Sequence, residues 1–348
     1  MKIRKLHIDE YKMFKNFDID FVDENDEALP IVVLAGVNGT GKTTLLESLS
    51  PYPHPPIVNQ NHVVYKDRGW VINLKTLPFK QGDNPPLKNR IDFLKELKEE
   101  IIYFSASVNE LENIEIKIVE EYIKTAEEID SFKKALHGLQ EKINDIFEGL
   151  DIGFRFSRVD YNNKKVFLTA KENAKEFEIN RLSTGEKTLM SKVLLLYFGG
   201  YEDKIILIDE PELSLHPSWQ NKVLKIYENF ALQNNCQIII ATHSPHIIGS
   251  AKNEYLRILR KNDESRIEVV SGLKAEGRDI NSILFDVMGE VAYRPQKFRD
   301  MIDKLFIQID NKNIDEAKKQ LEVLKKSYGE EDSTILEAQM LIEIYSEA

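Results

Sequence analysis

Cysteine is almost missing from this chain: Cys236 is the single one in 348 residues. With no second thiol, no intrachain disulfide can form. Lying in the apolar run Cys236–Ala241, that thiol reads as core packing in a reducing compartment. Long apolar runs are missing too. Ile31–Gly36, Ile205–Ile208 and Ile238–Ala241 are the longest kind present, far short of the roughly 20 residues a membrane helix needs. The opening MKIRKLHIDEYKMFKNF is basic but has no apolar stretch behind its charges, so it does not read as a signal peptide. The expectation is a cytoplasmic protein with no membrane partner. Positive charge is in deficit: 47 Lys and Arg against 58 Asp and Glu give −11. Such a balance argues against a protein that coats DNA non-specifically, while leaving room for a local basic groove. Hydrophobic residues at 42% and charged residues at 30% exclude a disordered chain. The length suffices for one large domain or two ordinary ones.

No internal repeat or low-complexity tract is present, so the pattern has to be taken segment by segment. KIRKLHIDEY and FDIDF alternate apolar and polar residues and predict half-buried strands, whereas IVVLAG is continuously apolar and predicts a covered central strand. A helix is expected over Thr43–Ser50. Residues 51–90 hold seven of the 12 prolines and read as a long irregular connection. After a strand at IIYFS comes a helical stretch of about 40 residues, Val108–Phe147, with Leu111, Ile114, Ile118 and Tyr122 at helical spacing. It suits one long helix or a short antiparallel pair. Short strands follow in GFRFSRV and KKVFLTA, then a helix near Gly185–Tyr197. IILID and QIIIAT, with a helix over Ser218–Asn234 between them, carry the strand–helix–strand signature of a parallel sheet. YLRILRK and RIEVVSG predict a peripheral hairpin. From Asp279 onward the sequence reads as helices broken at Arg294-Pro295, Asn311–Asn313 and Tyr328-Gly329.

Chemistry concentrates at three places. Gly36-Val37-Asn38-Gly39-Thr40-Gly41-Lys42-Thr43, followed by Thr44, is a complete G-x-x-x-x-G-K-T between a buried strand and a helix. Its glycines let backbone N–H groups turn inward on phosphates; Lys42 would reach the β- and γ-phosphates, and the Thr43 hydroxyl would take a Mg²⁺ position. Next, Ile205–Ile208 runs into Asp209 and Glu210, two carboxylates at the C-terminal end of a buried strand. Asp209 would hold Mg²⁺ through water and Glu210 would polarise the attacking water. Third, Leu182-Ser183-Thr184-Gly185-Glu186-Lys187 opens a helix. Alone it is an ordinary serine cap with a capping-box glutamate. As a second phosphate site in a chain that already has one, it makes sense closing over the ATP of another protomer.

In this order, with Ala241-Thr242-His243-Ser244 as a fourth motif, the chain resembles the ATP-binding-cassette ATPases. More narrowly it is similar to the soluble branch that includes the SMC, RecF and overcoming-lysogenization-defect proteins. Its opening IRKLHIDEYKMFKNFDIDF and the segment DEPELSLHPSWQ carry that likeness, which covers about residues 1–50 and 180–250. The resemblance implies an α/β ATPase head of P-loop type. A mostly parallel sheet would be joined by an N-terminal antiparallel sheet, a short helical insertion and an all-helical C-terminal tail. The expected divisions are 1–105, 106–150, 151–275 and 276–348. It further implies that Ser183, Gly185 and Glu186 serve ATP bound to the opposite subunit, that His243 senses its γ-phosphate, and that Glu212–His216 link two active sites. Two ATPs would join two heads, and hydrolysis would part them.

Two departures stand out. The family's Mg²⁺-contacting glutamine has two candidates here, Gln60 and Gln81, between which the sequence does not choose. The stretch between Thr43 and Leu182 is too short for long coiled-coil arms, since 40 helical residues reach only about 60 Å. Glu276-Gly277 looks like the start of a TOPRIM nuclease, but no Asp-x-Asp pair follows and the pair reads as a loop. Small ATPases of Septu-type and retron-associated anti-phage systems are similar, which implies a separate effector chain docked on the helical tail. A stripe there includes Phe298, Met301, Ile302, Leu305, Phe306, Leu321, Leu324, Leu336, Met340 and Leu341. The alternative is a RecF-like repair ATPase clamping duplex DNA, with Arg155, Arg158, Lys164, Lys165 and Lys171 as phosphate contacts.

Overall fold

The computed structural model describes residues 2–50, 70–74, 100–106, 111–270, 273–289 and 294–347. Gln60 and Gln81 fall outside the described residues, as does most of the proline-rich connection.

Alternation builds the first hairpin, β1 (Ile3–Tyr11) with β2 (Phe14–Asp20), and Leu6, Ile8, Phe14, Phe17 and Ile19 point inward. A register irregularity between Ile3 and Lys5 lets Ile3 face the core as well, out of step with Leu6. β3 (Ile31–Ala35) leads into α1 (Lys42–Leu49). β4 (Trp70–Leu74), which the sequence pattern did not reveal, pairs antiparallel with β1 on its other side. β5 (Ile101–Phe104) follows.

The 40-residue helical stretch is an antiparallel pair, α2 (Leu111–Glu128) and α3 (Phe132–Ile146). Asp130, at φ 49°, turns the chain, and Ser131 caps α3 by accepting from the Lys134 N–H. Glu115, buried in α2, accepts a 3.0 Å hydrogen bond from the Val166 N–H and so ties this hairpin to a small antiparallel sheet. That sheet is β6 (Phe154–Asp160), β7 (Lys165–Ala170) and β8 (Glu176–Glu178).

After α4 (Thr184–Phe198) come β9 (Ile205–Asp209), α5 (Pro217–Gln233), β10 (Gln237–Thr242), α6 (Pro245–Ser250), β11 (Leu256–Lys261) and β12 (Ile267–Val270). The main sheet runs β12-β11-β3-β10-β9-β5, parallel except for β12 at one edge. Every residue of β3, β9 and β10 is buried, as expected of strands covered on both faces. The expected peripheral hairpin is less peripheral than its sequence suggests: β11 lies directly beside β3, its Leu256–Ile258 paired with Val33–Ala35. The expected α/β head is thus the observed one. No helix among the described residues is long and apolar enough to cross a membrane.

Gln237 joins the N-terminal three-stranded sheet to the main sheet. Fully buried, its amide donates to Ile3 O at 2.9 Å and Leu29 O at 3.1 Å and accepts from the Ile3 N–H at 2.7 Å. Leucine there would leave three main-chain groups unpaired. We expect Gln237→Leu to lower the denaturant-derived stability by about 2–5 kcal/mol, on the usual cost of orphaned buried groups. A loss below about 1 kcal/mol would mean the sheets are joined by other contacts.

The chain forms two compact units, Met1–Glu290 and Val291–Ala348. Residues 276–290, expected with the helical tail, go with the first unit because Ile283, Val287 and Met288 are buried in its core. The second unit packs α7 (Gln296–Asp310), α8 (Ile314–Tyr328) and α9 (Ser333–Glu347) around Phe298, Leu305, Ile309, Leu321, Leu324 and Ile342. Most of the tail stripe is therefore this unit's own core. Leu336 and Met340 instead face solvent, together with Ile344.

Candidate functional site

Parallel order brings the motifs together. β10 lies between β3 and β9, with Thr242 level with Ala35 and Ala241 level with Asp209. The glycine-rich loop after β3, the carboxylates after β9 and His243 after β10 therefore share one edge, where open α/β sheets bind ligands.

Gly36 leaves β3 at φ 149°, and a Cβ on it would lie 2.5 Å from the Leu259 carbonyl oxygen of β11. No larger residue fits without moving a strand. Gly39 and Gly41 also take positive φ, and Gly41 starts α1. Thr40 is buried with its hydroxyl donating to Val37 O at 2.9 Å, while Asn38 and Thr43 are exposed and Thr44 is half-buried. The Lys42 ammonium, 6% exposed, lies across the loop and donates to Gly36 O at 2.7 Å and Val37 O at 3.1 Å. Burial lowers its pKa against the opposing pull of Glu210, Glu212 and Asp209.

Thr43 Oγ1 donates to both oxygens of Asp209, at 3.0 and 3.1 Å. Burial raises the Asp209 pKa, the Thr43 bond opposes that rise, and Glu210, Glu212 and Glu47 add to it. A hydroxyl and a carboxylate this close are the hard oxygen donors that Mg²⁺ takes. The Tyr103 hydroxyl, on β5, also bonds Asp209; burial and that carboxylate push the phenol's pKa well above its usual value.

Glu210 Oε1 lies 3.0 Å from His243 Nδ1. An ionised carboxylate only accepts, so this bond requires the proton on Nδ1 and leaves Nε2 free for another partner. Glu212 is buried behind them: its Oε1 accepts from Thr242 Oγ1 at 2.6 Å, the His243 N–H at 3.0 Å and the Ser244 N–H at 3.2 Å. It thereby fixes the main chain that carries His243.

Ser183, Gly185 and Glu186 stand apart from this cluster. Ser183 caps α4 in a full capping box with Glu186, its hydroxyl 2.7 Å from Glu186 Oε2, and it is exposed. A Cβ on Gly185 would meet the Ser214 carbonyl oxygen at 2.6 Å, so glycine here lets α4 rest against the Glu212–His216 loop. Glu276-Gly277 forms a surface turn.

Residues 79–248 match the family described as AAA ATPase domain, and residues 5–50 match an AAA domain. The chain is thus similar to AAA ATPase domains over two stretches. The glycine-rich loop lies in the second of these stretches and Asp209, Glu210 and His243 in the first. The chain is similar to the Retron Ec83 probable ATPase of Escherichia coli, 25% identical over 245 residues, covering 66% of this chain and 42% of that protein. A Septu protein PtuA of Bacillus thuringiensis is 28% identical over 186 residues, covering 49% of this chain and 46% of its own length. The match thus spans less than half the length of either relative. Among solved structures, an SMC head bound to the C-winged helix domain of ScpA superposes with a TM-score of 0.50 at 14% identity. It covers 78% of this chain and 97% of that one, and shares the fold.

Sequence reasoning missed Tyr103 and Lys192. Nothing local marks Tyr103, because its partner comes from β9, a hundred residues on. Lys192 carried a signal, a lone cation in the otherwise apolar run Val193–Leu196 and its neighbours on α4.

Proposed function

We propose that this chain binds ATP with Mg²⁺ at the Gly36–Thr43 loop, hydrolyses it, and forms a head-to-head dimer around two ATPs. In that dimer it acts in the cytoplasm as the regulatory ATPase of an anti-phage complex whose effector is a separate chain. The observation that carries the reading is the meeting of Thr43 with Asp209 and of Glu210 with His243 at one sheet edge. Lys42 and the loop N–H groups would hold the phosphates. Thr43, and Asp209 through water, would hold Mg²⁺, which supplies charge neutralisation for phosphoryl transfer. Glu210 would take the proton of the attacking water, with His243 keeping the carboxylate oriented.

The exposed Ser183 end of α4 supports the dimer. Its bonds stay within its own helix turn, so its face is open to a phosphate carried by a second copy. For the defence role the support is the likeness to retron and Septu proteins, together with the exposed Leu336–Met340–Ile344 stripe on α9, which suits a docking partner. The DNA-clamp alternative has less behind it. Arg158 is held by Glu176 at 2.8 Å and lies over the Phe167 ring, and Lys165 faces Glu178 at 3.8 Å, so these cations are already matched.

Tagged Glu210→Gln protein, pulled down with ATP from its native host and weighed by native mass spectrometry, tests the proposal. The expected result is a dimer carrying a stoichiometric second protein. An ATP-dependent homodimer retaining nucleic acid and no protein would overturn the effector reading in favour of the clamp.

A further inference from the structure

Lys192 sits two turns into α4 at 5% exposure, flanked by the buried Met190, Val193 and Leu194. A charged lysine that deep is costly unless it is matched. Its ammonium donates 3.0 Å to the main-chain oxygen of Glu210. Burial pushes its pKa down to about 8, against the attraction of Glu212, Asp209 and Glu210.

Glu210 itself has φ 44°, the left-handed conformation that a side-chain-bearing residue rarely adopts. Such a conformation persists where its surroundings fix it from several sides. Here its N–H donates to Ala241 O on β10 at 2.9 Å. Its carbonyl oxygen accepts from the Leu213 N–H at 3.2 Å, closing the turn, and takes its shorter and charged bond from Lys192. Both peptide groups of the strained residue are thus held, one from β10 and one from α4. The carboxylate they aim is the one 3.0 Å from His243.

We propose that Lys192 is a positioning residue for ATP hydrolysis, holding the Glu210 main chain in its left-handed turn so that the carboxylate points at His243 and the reacting water. The idea rests on the reading of Glu210 as the general base. A purely structural lysine in this apolar setting would be replaced by methionine, of similar length, with no loss or even a gain in stability. A positioning lysine would not, since a carboxylate displaced by about 1 Å can cost about 100-fold in rate.

Steady-state ATP hydrolysis and thermal unfolding are to be measured side by side on wild-type, Glu210→Gln and Lys192→Met proteins. The expected result is a 10- to 100-fold lower kcat for Lys192→Met, by the same misplacement argument, with KM for ATP and Tm unchanged. Wild-type kcat in Lys192→Met, beside an inactive Glu210→Gln, overturns the role of Lys192 and leaves the base assignment standing. Wild-type kcat in Glu210→Gln overturns the base assignment and the role of Lys192 with it. Should methionine also lower Tm, Lys192→Gln, which keeps a neutral donor, is expected to recover kcat along with Tm; recovery of Tm with kcat still as low as in Lys192→Met overturns the proposal. In either variant a KM that rises as much as kcat falls would show a general loosening of the site and overturn the proposal.

Discussion

ATP turnover is expected to fall by about 100- to 10,000-fold in Glu210→Gln protein, the usual worth of a positioned general base, while ATP affinity stays within about twofold. Glutamine keeps the length and the hydrogen-bonding shape of the side chain, so His243 Nδ1 retains an acceptor at Oε1. It cannot take a proton from water. The groups proposed to hold the phosphates, Lys42 at the start of α1 and the N–H groups of the loop between β3 and α1, are untouched. A phosphate-release assay read beside a fluorescent-nucleotide titration separates the two quantities. Turnover at the wild-type rate would mean that another group activates the water, and Glu212, buried and committed to Thr242, His243 and Ser244, is poorly placed to be it.

The second large effect is on binding. Lys42→Met is expected to lose at least about 10- to 100-fold in ATP affinity, since a charge-assisted hydrogen bond to phosphate contributes about 1.5–3 kcal/mol. Methionine preserves the buried stem that packs under the loop, so the fold is expected to survive. The Gly36 and Val37 carbonyls lose the ammonium that bonds them and would face water instead. Hydrolysis then falls because ATP is not held, the reverse of Glu210→Gln, where ATP is held and not cleaved. Unchanged affinity in Lys42→Met would place the triphosphate elsewhere.

The sequence showed the nucleotide loop most clearly because its determinants are contiguous. Three glycines, a lysine and a threonine within eight residues need only a strand before them and a helix after. Covered strands were legible for a similar reason: four to six apolar residues in a row leave few alternatives. What escaped has partners far along the chain. Tyr103 meets Asp209 only because β5 pairs with β9, and its strand looks like any other edge strand. β8, with the sequence Glu-Phe-Glu, has no apolar pattern to announce it and exists because β7 offers it an edge. The tail stripe misled in part, since periodicity does not tell whether an apolar face meets its own unit or a stranger. Phe298 and Leu305 turned inward, Leu336 and Met340 outward.

Strand order also sets a timetable for synthesis. β3 is made early, yet its neighbours in the sheet, β10 and β11, begin at Gln237 and Leu256. Until some 200 residues more have left the ribosome, the strand that carries the glycine-rich loop has an unmatched edge on both sides, and until some 220 on one. At about 5–20 residues per second that wait lasts roughly 10–45 s. Gln237 compounds it, because the N-terminal hairpin cannot be fastened at Ile3 before that glutamine exists. A nascent chain stalled before β10 would therefore expose IVVLA as bare, aggregation-prone strand, a hazard set by pairing the third strand with partners about two hundred residues further on.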